Sequence, residues 1–165
     1  MSQHSNLDIG GERQLMAAIL ESAREDCARK GAAAAHAVVV PAFAWIVLKR
    51  PWMRCCCQAL DLDPDRVRER FVSAYGDRVL MLISKARPGL QQFLALSTRE
   101  LLEVFDEAGE DVTRFSVISD DDSKERRKEC RARVKLATQR LLASATVLLR
   151  REFDGLRGIS PSGAA

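Results

Sequence analysis

Apolar residues recur along this chain at helical spacing. Met16, Leu20, Ala23 and Cys27 step by four, three and four, which draws one stripe on a helix and predicts a first helix over Glu12–Lys30, stopped at Gly31. An alanine and valine stretch follows. Pro41 then suits the first turn of a second helix, one that turns Phe43, Trp45 and Ile46 inward and ends at Pro51. Trp52–Leu60 reads as a short third helix. Asp63 as N-cap and Pro64 at the first helical position start a fourth, running towards Tyr75. After Gly76, DRVLMLISKA reads as a separate buried helix closed by Pro88 and Gly89.

Ser97 and Glu100 have capping-box spacing, so another helix starts there, with Leu101, Leu102, Val104 and Phe105 on its buried side and Gly109 at its end. TRFSVIS, within Val112–Ser119, is β-branched and aromatic and predicts an extended segment or one short strand. Asp120, Asp121, Asp122 and Ser123 place negative charge and a cap where a long helix begins; it is expected to run to about Phe153. Cys130, Val134, Ala137, Leu141, Ala145 and Leu148 form an apolar seam along it, broadened later by Leu142, Leu149 and Phe153. The expected fold is all-α: a multi-helix globular domain with a long C-terminal amphipathic helix. Its layout is a flexible N-terminus (1–11), a helical core (12–119), a long basic helix (120–155) and a disordered tail (156–165).

Composition narrows the class. A chain of 165 residues with 47% hydrophobic residues can bury a core without staples or metals. Five cysteines, three of them adjacent, do not make a secreted disulfide framework, so reduced thiols in a cytoplasmic protein are expected. MSQHSNLDIGGERQ lacks the charged and apolar regions of a signal peptide. The most apolar stretch, Ala32–Leu48, is interrupted by His36 and Pro41 and is expected to be buried helix, not a membrane span. The formal charge is +3, but its distribution is uneven: residues 1–60, 61–119 and 120–165 carry nets of +2, −3 and +4. Ser123–Arg151 alone holds 10 basic and 2 acidic side chains.

Little points to catalysis. Cys55, Cys56 and Cys57 are consecutive, so on a helix they diverge by about 100° each and cannot converge on one ion. Asp61, Asp63 and Asp65 imitate the opening of a calcium loop, but Arg66 stands where such a loop needs glycine and Val72 where it needs glutamate. No metal or cofactor is expected. The only histidines, His4 and His36, make no plausible base, and no phosphate loop or nucleophile motif is present. A non-enzymatic protein is predicted, with carboxylate-only chemistry such as Glu100 with Asp106 as the alternative.

The segment CCCQALDLDPDRVRERF, Cys55–Phe71, organises itself differently. Cys56, Cys57 and Leu60 face inward from a short helix, Asp61 stands in the turn, Leu62 plugs the core, and Val67 and Phe71 hold a second helix down. This string resembles the A-x-L-G-x-x-x-x-x-V-x-x-x-F/L pattern of bacterial and phage helix-turn-helix regulators, with Asp61 in place of the turn glycine. It also looks like the LDPD-x-VR wording of short phage-type proteins. The resemblance covers roughly residues 45–75, with the motif itself at 52–75. It implies a protein associated with double-stranded DNA or transcription, whose outward helix face presents Arg66, Glu69, Arg70 and Ser73, with Arg66, Arg68, Arg70 and Ser73 as the candidate nucleic-acid contacts. Carboxylates at Asp61, Asp63 and Asp65 would oppose phosphate there.

A second positive surface is more regular. Lys124, Lys128, Arg131 and Lys135 step by four, three and four beside the seam, with Arg127 adjacent. Such a stripe can track a phosphate backbone, contact an acidic protein or keep a helix solvated. The seam, through Val134, Ala137, Leu141, Ala145 and Leu148, is also a candidate partner interface and the route to a homodimer. The alternative function is therefore a helical interaction module or adaptor that binds no nucleic acid.

Overall fold

Proline or a short polar side chain marks most of the helix starts. In a computed structural model, which describes residues 8–31, 35–85 and 89–157, the chain is all-α and no strand occurs among the described residues. The helices are α1 (Asp8–Ala28), α2 (Val40–Val47, entered through a π-helical turn over Ala35–Val39), α3 (Pro51–Ala59), α4 (Pro64–Ser84), α5 (Gln91–Leu94), α6 (Thr98–Ser116) and α7 (Lys124–Arg157). Two compact units divide at Leu82/Ile83, in the last turn of α4. The long helix pairs with α6 and is no separate module. The expected flexible N-terminus overlaps α1 from Asp8, and Arg157 still belongs to α7; residues 1–7, Pro88 and 158–165 lie outside the described residues.

In the first unit, Ala23 of α1, Ile46 of α2 and Met53 and Cys57 of α3 form a buried cluster, on which Leu20, Trp45, Val67 and Phe71 pack. The stripe expected on α1 is the face that contributes: Met16, Ala23 and Cys27 are buried. Both turns in this unit are closed without glycine. After α2, Lys49 N–H donates to Ile46 O at 3.0 Å and Arg50 N–H to Trp45 O at 3.3 Å. After α3, Asp61 N–H donates to Gln58 O at 3.3 Å and Leu62 N–H to Cys57 O at 2.8 Å. These are two Schellman caps, whose C′ residue must be left-handed; Lys49 (φ 47°) and Asp61 (φ 55°) both adopt that conformation.

The second unit is built on a helical hairpin. Ser97 Oγ accepts from Glu100 N–H at 3.2 Å, and Ser97 N–H donates to the Glu100 carboxylate at 2.7 Å, the predicted capping box. Ser123 Oγ accepts from Arg126 N–H at 3.2 Å and starts α7. The two helices run antiparallel: the Arg133 guanidinium lies 4.9 Å from the Phe115 ring centre, Leu141 approaches Gly109, and Arg151 Nη1 donates to Thr98 Oγ1 at 3.3 Å. Leu101, Phe105 and Ala108 of α6, all buried, supply the covering face. From Ser144 to Leu149, α7 is buried on every side. Its two hydroxyls there are satisfied within the helix, Ser144 Oγ donating to Arg140 O at 2.8 Å and Thr146 Oγ1 to Leu142 O at 2.7 Å.

Three expected breaks are absent. Gly76 lies inside α4, so the two helices expected around it are one. Gly109 lies inside α6, where an added Cβ would meet Leu141 at an ordinary contact distance of 3.9 Å; a lone glycine within a helix costs about 1 kcal/mol and need not end it. Most of TRFSVIS is helix, because Val112 and Phe115 continue the α6 seam, and packing outweighs β propensity. Only Val117–Ser119 leaves the helix.

Arg150 reaches from α7 to the end of α4, donating through Nε (2.8 Å) and Nη2 (2.6 Å) to Ile83 O. Arg150→Gln is expected to lower unfolding free energy by about 2 kcal/mol, since charged hydrogen bonds contribute about 1.5–3 kcal/mol. Arg126→Gln, which breaks an i,i+4 pair between an exposed guanidinium and half-buried Asp122, is expected to cost less, under about 1 kcal/mol. Urea denaturation of the two variants checks this ranking.

The capping box is sensitive to acid. The Ser97 N–H holds the Glu100 carboxyl below its ordinary value of 4.5, so its contribution to stability is present above about pH 4.5 and is lost as pH falls through the lower folded value. Glu100→Gln keeps the acceptor but not the titration. Its unfolding midpoint is expected to change less than wild type between about pH 5 and about pH 3.

Candidate nucleic-acid interface

The segment expected to form a helix-turn-helix-like corner comprises α3, the turn at 60–63 and the start of α4. Asp61 takes the left-handed position that glycine holds in the resembling pattern. Asp63 Oδ1 accepts from Asp65 N–H at 2.9 Å, an N-cap for α4. Each of the three carboxylates is therefore engaged: Asp61 with Arg13 at 3.5 Å, Asp63 in the cap, and Asp65 with Lys49 Nζ at 2.7 Å. The Lys49 ammonium keeps the Asp65 carboxyl below the ordinary range. Pairing of two of the three offsets much of the negative charge that would oppose a phosphate.

Cys56, Cys57, Val67 and Phe71 face inward as expected, but Leu62 does not plug the core. It is 44% exposed, because the left-handed turn at Asp61 brings it out to line a shallow depression with Lys49, Arg54, Gln58, Pro64 and Asp65. Met53 of α3, fully buried, belongs to the core cluster from which Leu62 is absent.

On α4, Arg66, Glu69, Arg70 and Ser73 are exposed and share the outward face. Arg66 and Arg70 make no ion pair among the described residues. Arg68 is different. Its Nε donates to Val47 O at 3.1 Å, so this candidate contact is turned inward to cap α2. Arg54 of α3, exposed and beside Asp65, was missed; its neighbours in sequence give no sign that it shares a surface with the start of α4.

On α7, Lys124, Lys128, Arg131 and Lys135 are exposed and carry no ion pair among the described residues. They lie roughly a third of a turn round from the seam. The opposite flank is paired: Arg126 with Asp122 at 3.2 Å and Arg133 with Glu129 at 2.8 Å. Lys124, Lys128 and Arg131 line a shallow depression with Asp122, Glu125 and Arg127. Arg127 is half-buried there, and its Nη2 donates back to Asp120 O. It serves the turn more than the stripe.

The proposed partner interface is already used. Ala137, Ala145 and Leu148 are buried within the single chain, and Val134 and Leu141 are half-buried on the side of α6. A seam satisfied by α6 leaves no apolar stripe that needs a second copy, which removes the reason for expecting a homodimer through it.

No metal-binding cluster occurs among the described residues, and no helix among them is long and apolar enough to cross a membrane. Burial pushes the Cys27 thiol up to about 12 and also raises Cys56 and Cys57. Cys56 and Cys57 point at the sulfurs of Met16 and Met53, at 3.5 and 3.9 Å, an apolar environment for small hydrophobes. Glu100 is committed to its cap. No protein-family description, curated protein or solved structure matches the chain.

Thiolate access follows from this burial. At mildly alkaline pH, Cys55 is expected to react first with an alkylating reagent and half-buried Cys130 more slowly. Cys27, Cys56 and Cys57 should react only after unfolding, a difference that mass spectrometry of the labelled chain resolves. Rapid native labelling of Cys56 or Cys57 would contradict their burial.

Proposed function

We propose that this protein binds double-stranded DNA without catalysing a reaction, through the basic flank of α7 and the outward face of α4. The observation that carries this reading is the exposed row Lys124, Lys128, Arg131 and Lys135, which has no ion pairs among the described residues, whereas Arg126 and Arg133 on the other flank are paired. Cations left without intramolecular partners release counterions when they meet phosphate, and that release drives sequence-independent binding. Arg66 and Arg70 form a second exposed pair. On the resemblance to helix-turn-helix regulators, they are the groups that would meet base edges.

The interaction-module reading keeps one observation in its favour. Val117 and Ile118, 76% and 37% exposed, sit in the loop joining α6 to α7 and could anchor a protein partner.

Gel retardation of a mixed-sequence duplex at low salt tests the main reading, and absence of any shift there rules it out. If the duplex is retarded, Arg66→Gln with Arg70→Gln is expected to flatten discrimination among sequences, by about 1–3 kcal/mol for each base that an arginine reads. Unchanged preference in that double variant would remove α4 from the interface and leave the α7 flank alone.

A further inference from the structure

The basic flank of α7 belongs to a hairpin, and this limits how DNA can meet it. The face that carries Lys124, Lys128, Arg131 and Lys135 continues at helical steps through Thr138 and Leu142 to Thr146, Leu149 and Phe153. The last three are buried, so the row of cations ends where the core begins. The row spans about 16 Å, at a rise of about 1.5 Å per residue. The neighbouring flank is covered by α6, whose own outward side carries exposed Glu107, Glu110 and Arg114, with Glu103 paired to Arg99 at 3.2 Å.

Two packed helices, with axes about 8–10 Å apart and side chains outside them, are wider than the major groove of about 12 Å. The hairpin therefore cannot lay both helices side by side in the groove, and the exposed Glu107 and Glu110 disfavour contact of the α6 side with phosphates. The row also lacks stacking groups. Between residues 110 and 137 the one aromatic is Phe115, half-buried with its ring 4.9 Å from the Arg133 guanidinium. Binding of single strands relies on exposed aromatics interleaved with cations, and here only cations are offered.

Resting on the DNA-binding reading above, we infer that the α7 flank grips the outside of double-stranded DNA along one phosphate ridge, without reading sequence, and prefers duplex to single strand. With point cations alone, the preference comes from charge density. Four cations give a salt slope of about 3.6 on duplex and about 2.8 on a single strand, at about 0.9 and 0.7 per neutralised phosphate. Between about 50 and about 200 mM salt, affinity for duplex then falls about 150-fold and affinity for a single strand about 50-fold.

Fluorescence anisotropy with labelled duplexes of several sequences, and with single strands of equal length, tests this on the full chain. To isolate the α7 flank, the titrations use Arg66→Gln/Arg70→Gln protein as the parent. The expected result is tighter binding to duplex, alike for every sequence. Adding Lys128→Gln, Arg131→Gln and Lys135→Gln is expected to abolish that advantage and cut the duplex slope to about 0.9. The charge-reversing set at the same positions should go further in the same direction, and circular dichroism confirms that both sets remain helical. Equal or tighter single-strand binding, or a duplex slope unmoved by the added changes, overturns the inference while leaving DNA binding itself intact. Failure of wild type to bind either form overturns both.

Discussion

Arginine forks on helix C-termini hold this fold together. The last carbonyls of a helix have no partner within it, and the helix dipole makes that end negative. Four helices meet the problem in one way. Arg78 donates to Cys27 O at 3.2 Å and also to Arg29 O, closing α1. Arg68 closes α2 through Val47 O, and Arg150 closes α4 through Ile83 O. Arg151 reaches Leu94 O at 3.3 Å and Leu96 O at 2.7 Å, beyond α5. A guanidinium suits the task because it is always charged and presents several donors in a fixed plane. The caps on α1 and α2 each join two helices of the first unit, and the Arg151 cap joins two segments of the second.

This division explains what was legible in the sequence. N-terminal caps use short side chains next to the helix they start, so Asp63, Ser97 and Ser123 could be read directly and recur in the structure. The arginines on helix C-termini come from 21 to 67 residues away, and nothing beside Val47 or Ile83 announces Arg68 or Arg150. Glycine misled for a related reason. Gly31 and Gly89 do take positive φ, but so do Lys49 and Asp61, while Gly76 and Gly109 are helical. The two non-glycine turns are held by Schellman hydrogen bonds, which override residue preference.

The candidate site shows the same split between local pattern and distant partner. Helical spacing placed Lys124, Lys128, Arg131 and Lys135 on one exposed face, and Arg66, Arg70 and Ser73 on another. It could not show that Arg68 and Arg127 are turned back onto backbone carbonyls, because those carbonyls belong to other segments. The seam on α7 was also visible, but periodicity states only that a stripe must be covered. The cover proved to be α6, whose length was hidden by taking Gly109 as a stop and TRFSVIS as extended chain.

Charge type separates the two uses of basic residues in this chain. Each of the four C-terminal caps is an arginine, whereas three of the four cations in the exposed α7 row are lysines. A carbonyl cap needs donors in a fixed plane, and lysine supplies a compact ammonium on a flexible stem. A phosphate ridge makes the opposite demand: charge matters more than direction, and a flexible stem lets each ammonium find the nearest oxygen at small cost in geometry. The net charge of +3 therefore understates the proposed interface and, in counting the capping arginines as surface charge, misplaces it. Exposed cations without ion-pair partners among the described residues, three of them lysines, suit the proposed sequence-independent grip on DNA.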